Sequence, residues 1–140
     1  MTSGYGAMNH VILNEIKTGE RWVEVETNTL NHLAASLSPS LIKVDVEGYQ
    51  DPVIRGADEI LSKDSVLALI LEIAPSEMGT HQKVLDFGFK PFGYSPFLRE
   101  LTPLHSINPN GPNTLYVRDA EKAGKILKSA PAFKVRGQSV

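Results

Sequence analysis

The chain contains no cysteine. This absence excludes disulfide bonds, catalysis by a thiolate and zinc sites built on cysteine ligands. An excess of charge of either sign is also missing, because the formal net charge is only −2. The sequence therefore offers no electrostatic argument for a nucleic-acid partner or for an anionic membrane surface.

Long hydrophobic runs are missing as well. The most apolar run, residues 66–71, is far shorter than the roughly 20 residues that a membrane-spanning helix needs. The first six residues lack the basic start and the apolar stretch of a secretory signal peptide. These absences predict a soluble, cytoplasmic protein that has no membrane partner.

What is present has the composition of an ordinary folded domain. Of the 140 residues, 41% are hydrophobic and 21% are charged, which is enough apolar material for one domain with a real core. We therefore predict a single domain over residues 1–140, with a loosely structured start at 1–20 and a loose tail at 129–140.

Residues 41–49 form the most informative stretch, an apolar strand that ends in two acids and a glycine. Ligands of open α/β sheets bind outside the carboxyl ends of the strands, so this pattern predicts a strand that enters a site. Asp45 and Glu47 are two positions apart and would point to one face while the chain stays extended. Gly48 would then permit a tight turn or a close approach to a ligand.

A helix and a second strand follow. Residues 51–61 are predicted to be helical, with Asp51 as N-cap and Pro52 in the first turn. Residues 66–73 form a continuous apolar run, which is typical of a strand buried on both faces of a parallel sheet. Together they predict a right-handed βαβ unit. Because neighbouring strands lie about 4.8 Å apart, Glu72 at the end of the second strand would share a pocket with the first two acids.

The remaining predicted elements rest on local patterns of apolar, turn and capping residues. Before the central strand they are a short strand at 10–13, a strand at 22–27 and a helix with the apolar face Leu30, Leu33, Ala34 and Leu37, capped by Thr27 or Asn28. After the βαβ unit they are a helix from Pro75 to Phe87 that ends at Gly88, and a strand at 89–94 that Pro91 places near a sheet edge. A loop at 95–112, a strand at 113–118 and a helix at 119–128 complete the chain. The four histidines, His10, His32, His81 and His105, have no recognisable partner spacing and are predicted to lie on the surface.

The central stretch resembles the signature of the FkbM-family methyltransferases. In that family a strand of the pattern Lys, Ile or Val, Asp, Ile or Val, Glu, Gly is followed by a helix that ends near Gly-Ala. Here Lys43, Asp45 and Glu47–Gly48 fall at the family's spacing, as do Gly56 and Ala57 downstream. The resemblance covers about residues 27–117.

This resemblance implies a partial Rossmann-like class I methyltransferase fold, with parallel strands, flanking helices and an antiparallel edge pair. It implies transfer of a methyl group from S-adenosylmethionine to a hydroxyl of a sugar or small natural product. Asp45 and Glu47 are the candidate catalytic residues, since a hydroxyl acceptor calls for a general base. The implied cofactor-binding residues are Asp45, Val46, Gly48 and Tyr49, and the implied substrate-binding residues are Glu72 and Asn113.

Three of these residues also have a structural interpretation. Asp45 could cap the next turn, and Glu47 could pair with Lys43 or Arg55 on the surface. Asn113 is also typical of a turn. Three clustered carboxylates could instead hold Mg²⁺ in a phosphate-handling α/β enzyme, although no metal site is predicted.

The chain departs from the family in one respect, the absence of the N-terminal half with its glycine-rich cofactor loop. Gly4 and Gly6 do not replace that loop, because no strand precedes them. We therefore expect this chain alone to bind S-adenosylmethionine with a dissociation constant weaker than about 1 mM. We also expect self-association through an exposed sheet edge, and a non-catalytic fragment or interaction module is the alternative function.

Overall fold

The computed structural model describes residues 23–139. The predicted strand at 10–13 and the loosely structured start lie outside these residues. The described helices and strands are α1 (Leu30–Leu33), β1 (Leu41–Val44), α2 (Gln50–Arg55), α3 (Asp58–Leu61), β2 (Ala68–Glu72), α4 (Met78–Asp86), β3 (Lys90–Ser95), β4 (Glu100–Pro103), β5 (Asn113–Val117), α5 (Ala120–Ser129), β6 (Lys134–Val135) and β7 (Gln138–Ser139).

Five of the strands form one sheet in the order β1-β2-β5-β3-β4. β1 and β2 run parallel, whereas β5 is antiparallel to both of its neighbours, β2 and β3. The predicted α/β class, the parallel pair and the antiparallel strands are therefore confirmed. None of the helices in the described part is long and apolar enough to cross a membrane.

Helices cover both faces of this sheet. On one face the fully buried Leu69 and Leu71 of β2 pack in a core with Ile54, Ile60 and Val84 from α2, α3 and α4. On the other face a smaller core joins Phe92 and Val117 to Ala123 of α5. The apolar run of β2 is thus explained, because its alternate residues face two different cores.

The predicted helix at 51–61 is wrong as a single element, since the chain breaks at Gly56 into α2 and α3. The backbone amide of Asn31 donates to the Gly56 carbonyl at 3.0 Å, and the Asn31 side chain accepts from the amide of Ile60 at 3.1 Å. The segment around α1 therefore docks onto the junction. Asp51 is not the N-cap, because α2 begins at Gln50 and Tyr49 occupies the N-cap position.

The predictions upstream of β1 are only partly correct. Residues 23–29 form no strand, and Val23 is 82% exposed, because no described strand lies beside them to pair with. The helix that follows is a single turn capped by Thr29, whose side chain accepts from the amide of His32 at 3.2 Å. Two of the four residues of its predicted apolar face, Leu33 and Leu37, are exposed to solvent.

Two short strand pairings escaped the sequence analysis. The predicted loop at 95–112 contains β4, which pairs with β3 and forms the sheet edge. β3 is therefore the second strand from the edge, and Pro91 lies just beyond the end of the β4 ladder, which starts at Phe92. The tail predicted to be loose contains the β6–β7 hairpin.

The outer side of β1 carries a testable prediction about self-association. Within residues 23–139 no strand pairs with that side, and Leu41 is 52% exposed there. Unpaired strand edges template association, so we expect a concentration-dependent dimer in size-exclusion chromatography with light scattering. Leu41→Lys should shift the protein toward monomer, whereas Leu98→Lys, at a 66% exposed residue in the tip of the β3–β4 hairpin, should not. A clean monomer at all concentrations would contradict the prediction.

Candidate functional site

The carboxyl ends of β1 and β2 lie at the same edge of the sheet, since Val44 is in register with Leu71. Asp45 follows β1 directly, and Glu72 is the last residue of β2. Asn113, the first residue of β5, is in register with Glu72. The structure thus brings these three predicted site residues to one edge, and their roles stay predictions.

Asp45 and Glu72 share a hydrogen bond that shifts their pKa values in opposite directions. The pKa of Asp45 is held below its ordinary value, first by the hydrogen bond from Lys43 and then by the one with Glu72. The pKa of Glu72 is raised, first by the hydrogen bond with Asp45 and then by desolvation and the nearby charges of Asp45 and Glu47. Asp45 is therefore the carboxylate that ionises first.

The chain leaves the extended conformation between the two acids of the signature. Glu47 has a φ of 23° and Gly48 a φ of 80°, and the Tyr49 amide donates to the Val46 carbonyl at 2.7 Å. The expectation that Asp45 and Glu47 lie on one strand face is therefore wrong. Gly48 serves a tight turn, because left-handed backbone favours glycine. Left-handed non-glycine residues such as Glu47 are found disproportionately at functional sites.

The surface ion pairs suggested for Glu47 are also wrong. The Lys43 ammonium pairs with Asp45, and Arg55 pairs with Asp51 at 3.3 Å. Neither cation therefore forms an ion pair with the Glu47 carboxylate.

An open cleft of about 780 Å³ lies beside this turn. Its walls come from the β1–α2 turn, the end of β2, the start of α4 and the loop before β5. The residues that line it are Glu47, Gly48, Gln50, Glu72, Ile73, Ala74, Pro75, Glu77, Met78, Ser106, Ile107, Asn108, Pro109, Gly111 and Pro112.

The residues predicted to bind the cofactor do not meet in this cleft. Gly48 lines it, whereas Tyr49 lines a separate cavity of about 460 Å³ beside α1 and α2. Val46 is half-buried and packs against the main core. Their cofactor contacts therefore stay a prediction.

Gln50 is a cleft residue that the sequence analysis missed. Its side chain is only 3% exposed, and its Oε1 atom has no hydrogen-bond partner. A buried polar atom without a partner costs free energy, so such an atom at a cleft needs an explanation. No sequence signal marked Gln50, because its burial depends on elements that are distant in the chain.

The surface prediction for His81 is wrong. His81 is 4% exposed and its Nδ1 lies 2.8 Å from the Tyr116 hydroxyl. Burial lowers the pKa of His81 and raises that of Tyr116. Thr114 in turn bonds to Tyr116 and accepts from the amide of Asn108 at 2.9 Å. This buried network anchors the loop that lines the cleft, whereas His32 and His105 are exposed as predicted and His10 lies outside the described residues.

No group of three His, Asp or Glu side chains in residues 23–139 is arranged to hold a metal ion. The Mg²⁺-dependent alternative therefore gains no support from the described acids at the sheet edge.

Removing the Lys43 ammonium tests the electrostatics of the acidic edge. Lys43→Met should raise the pKa of Asp45, because Lys43 makes the largest contribution to lowering it. The ion pair should stabilise the fold above the ordinary pKa of 3.8 and lose that contribution as the pH falls through the lowered value. A carbon-13 NMR titration of the Asp45 carboxyl measures the shift. Lys90→Met, at the opposite end of the sheet, is the control, and an unchanged Asp45 titration would contradict the assignment.

The family model of the methyltransferase FkbM domain matches residues 5–124. This span is longer at both ends than the resemblance seen in the sequence. Searches of the curated proteins and of the solved structures found no match.

Proposed function

The chain belongs to the FkbM methyltransferase domain family, and on that premise we propose that it transfers a methyl group from S-adenosylmethionine to a hydroxyl of a sugar or small natural product. The observation that carries the proposal beyond family membership is the position of Asp45. It stands at the carboxyl end of β1 with a lowered pKa, next to an acid that holds its proton more tightly.

The topology supports the same proposal. β5 is inserted antiparallel between β2 and β3, which is the kind of antiparallel closure expected for a class I methyltransferase sheet. Fold analogy alone does not assign an activity, which depends on the residues of the site.

The turn after β1 fits a ligand that approaches the backbone. At Gly48 no atom beyond the adjoining residues lies within 4 Å of the position that a Cβ would occupy, so the backbone there is open. Asp45, Val46, Gly48 and Tyr49 are the residues that would hold the cofactor. S-adenosylmethionine, when bound, supplies an electrophilic methyl group.

Asp45 would orient the acceptor and take its proton. As an ionised carboxylate it accepts a hydrogen bond from the acceptor hydroxyl and receives the proton when the new oxygen–carbon bond forms. Glu72 and Asn113, at the ends of the next two strands, would position the acceptor. Alignment of the reacting atoms supplies the rest of the rate enhancement.

The open edge of β1 supports a second candidate, a non-catalytic interaction module. A transfer assay separates the two. The protein that carries this domain is incubated with methyl-labelled S-adenosylmethionine and a panel of sugars and polyhydroxylated small molecules, and labelled product is quantified. Acceptor-dependent label in a methyl ether, formed at a hydroxyl of the acceptor, supports the proposal. Label at no acceptor, together with dimerisation through β1, would favour the interaction module.

A further inference from the structure

The cleft beside the β1–α2 turn is acidic. Glu47, Glu72 and Glu77 line it, and none of the lining residues in the described part of the chain is a lysine, arginine or histidine. Lys43, whose charge acts on Glu72, is already paired with Asp45. Glu77 uses one carboxylate oxygen to accept from the Ala74 amide at 2.8 Å. The cleft therefore presents unneutralised acceptors to whatever enters it.

Gln50 is an independent sign that a polar ligand binds here. Its side chain lines the cleft, is 97% buried and leaves Oε1 without a partner, although a leucine or methionine would avoid that cost. An amide also offers both a donor and an acceptor, which suits a hydroxyl group. The side chain is thus retained at a cost to stability in the place where a ligand would contact it.

We propose that this cleft binds the methyl acceptor and that the acceptor is an amino sugar. Its ammonium group would lie between the carboxylates of Glu47 and Glu72, and a neighbouring hydroxyl would bond the Gln50 amide. Ammonium–carboxylate contacts compensate the clustered negative charge, which a neutral sugar would leave uncompensated. The inference rests on the proposed methyl transfer and names its substrate class.

Binding of simple sugars to the chain tests this without the methyl donor. Glucosamine, N-acetylglucosamine and glucose are titrated separately, and binding is followed by NMR shifts of the Glu47, Gly48 and Glu72 amides. We expect glucosamine to bind at least about fivefold more tightly than the two neutral sugars, the size expected for partly exposed ion pairs. Equal affinities, or no binding of glucosamine, would overturn the proposal.

Variants separate the contacts. Glu47→Gln should weaken glucosamine binding about fivefold and leave glucose unchanged. Gln50→Met should weaken both sugars while the melting temperature stays constant or rises, a pattern that a purely structural role would not produce. Glu121→Gln, at a 79% exposed carboxylate on α5, is the matched control.

The methyl donor itself carries an ammonium group, so one further arm identifies the source of the bound amine. Displacement of glucosamine by S-adenosylmethionine would mean that the cleft holds the donor, and would overturn the acceptor assignment. Simultaneous binding of glucosamine and the donor by the protein that carries this domain supports it. Because these arms measure binding alone, their failure leaves the proposed methyl transfer standing, and a failed transfer assay leaves them unaffected.

Discussion

Replacing Asp45 with asparagine is expected to lower the rate of methyl transfer at least about tenfold, since a positioned general base contributes roughly 10²–10⁴-fold. The amide keeps the shape of the side chain and removes the charge that accepts the proton. Tenfold corresponds to about 1.4 kcal/mol in the activation barrier. Release of S-adenosylhomocysteine by the protein that carries this domain measures the change.

Folding should survive this replacement. The Asp45 side chain is 46% exposed, and the ion pair with Lys43 that it loses lies at the surface, where such pairs contribute little. Asp64→Asn, at an exposed residue in the turn before β2, is the control and should keep normal turnover. Wild-type turnover in a folded Asp45→Asn protein would remove Asp45 from the catalytic role.

Replacing Arg118 with methionine is expected to lower the free energy of unfolding by about 3 kcal/mol. The Arg118 guanidinium donates to the carbonyls of Lys63 at 2.8 Å, Phe87 at 3.3 Å and Leu61, and it stacks 4.5 Å from the Phe89 ring centroid. Two of these carbonyls stand at the ends of α3 and α4, where helices leave acceptors without partners. Methionine fills the space and leaves all three carbonyls without this donor.

Urea unfolding measures the loss, and two further variants define its cause. Arg118→Lys keeps the charge but has no planar fork to reach three carbonyls, so it should recover only part of the stability. Arg55→Met removes a 63% exposed arginine from its pair with Asp51 and should cost less than about 1 kcal/mol. A loss at Arg118 no larger than at Arg55 would show that the bridge between α3, α4 and β5 contributes little.

Elements with a strong local pattern could be predicted from the sequence. The apolar runs of β1, β2 and β5 and the capped helix α5 were found at nearly their observed positions, and the Asp119 side chain caps α5 by accepting from the Lys122 amide. Propensity, periodicity and capping act within a few residues, so they can be seen without the fold. The gathering of Asp45 and Glu72 was also predictable, because the carboxyl ends of neighbouring parallel strands meet at one edge.

Elements that depend on distant partners could not be predicted. At the break in the helix, the Gly56 carbonyl accepts a hydrogen bond from the distant Asn31 amide. The strand β4 forms by pairing with β3. His81 has nothing nearby in the chain to mark it as buried, since its partner Tyr116 is 35 residues away.

The sequence by itself determined the family, the α/β class and the acids at the end of the central strand. Each of these depends on residues that are close together in the chain or on the general rule for parallel strands. The tertiary structure decided which of those acids Lys43 pairs with, where Glu47 turns and which residues line the cleft. Gln50 shows the reason most clearly: it is buried with an unpaired oxygen in α2, which contacts the distant helix α4, and no local pattern records such contacts.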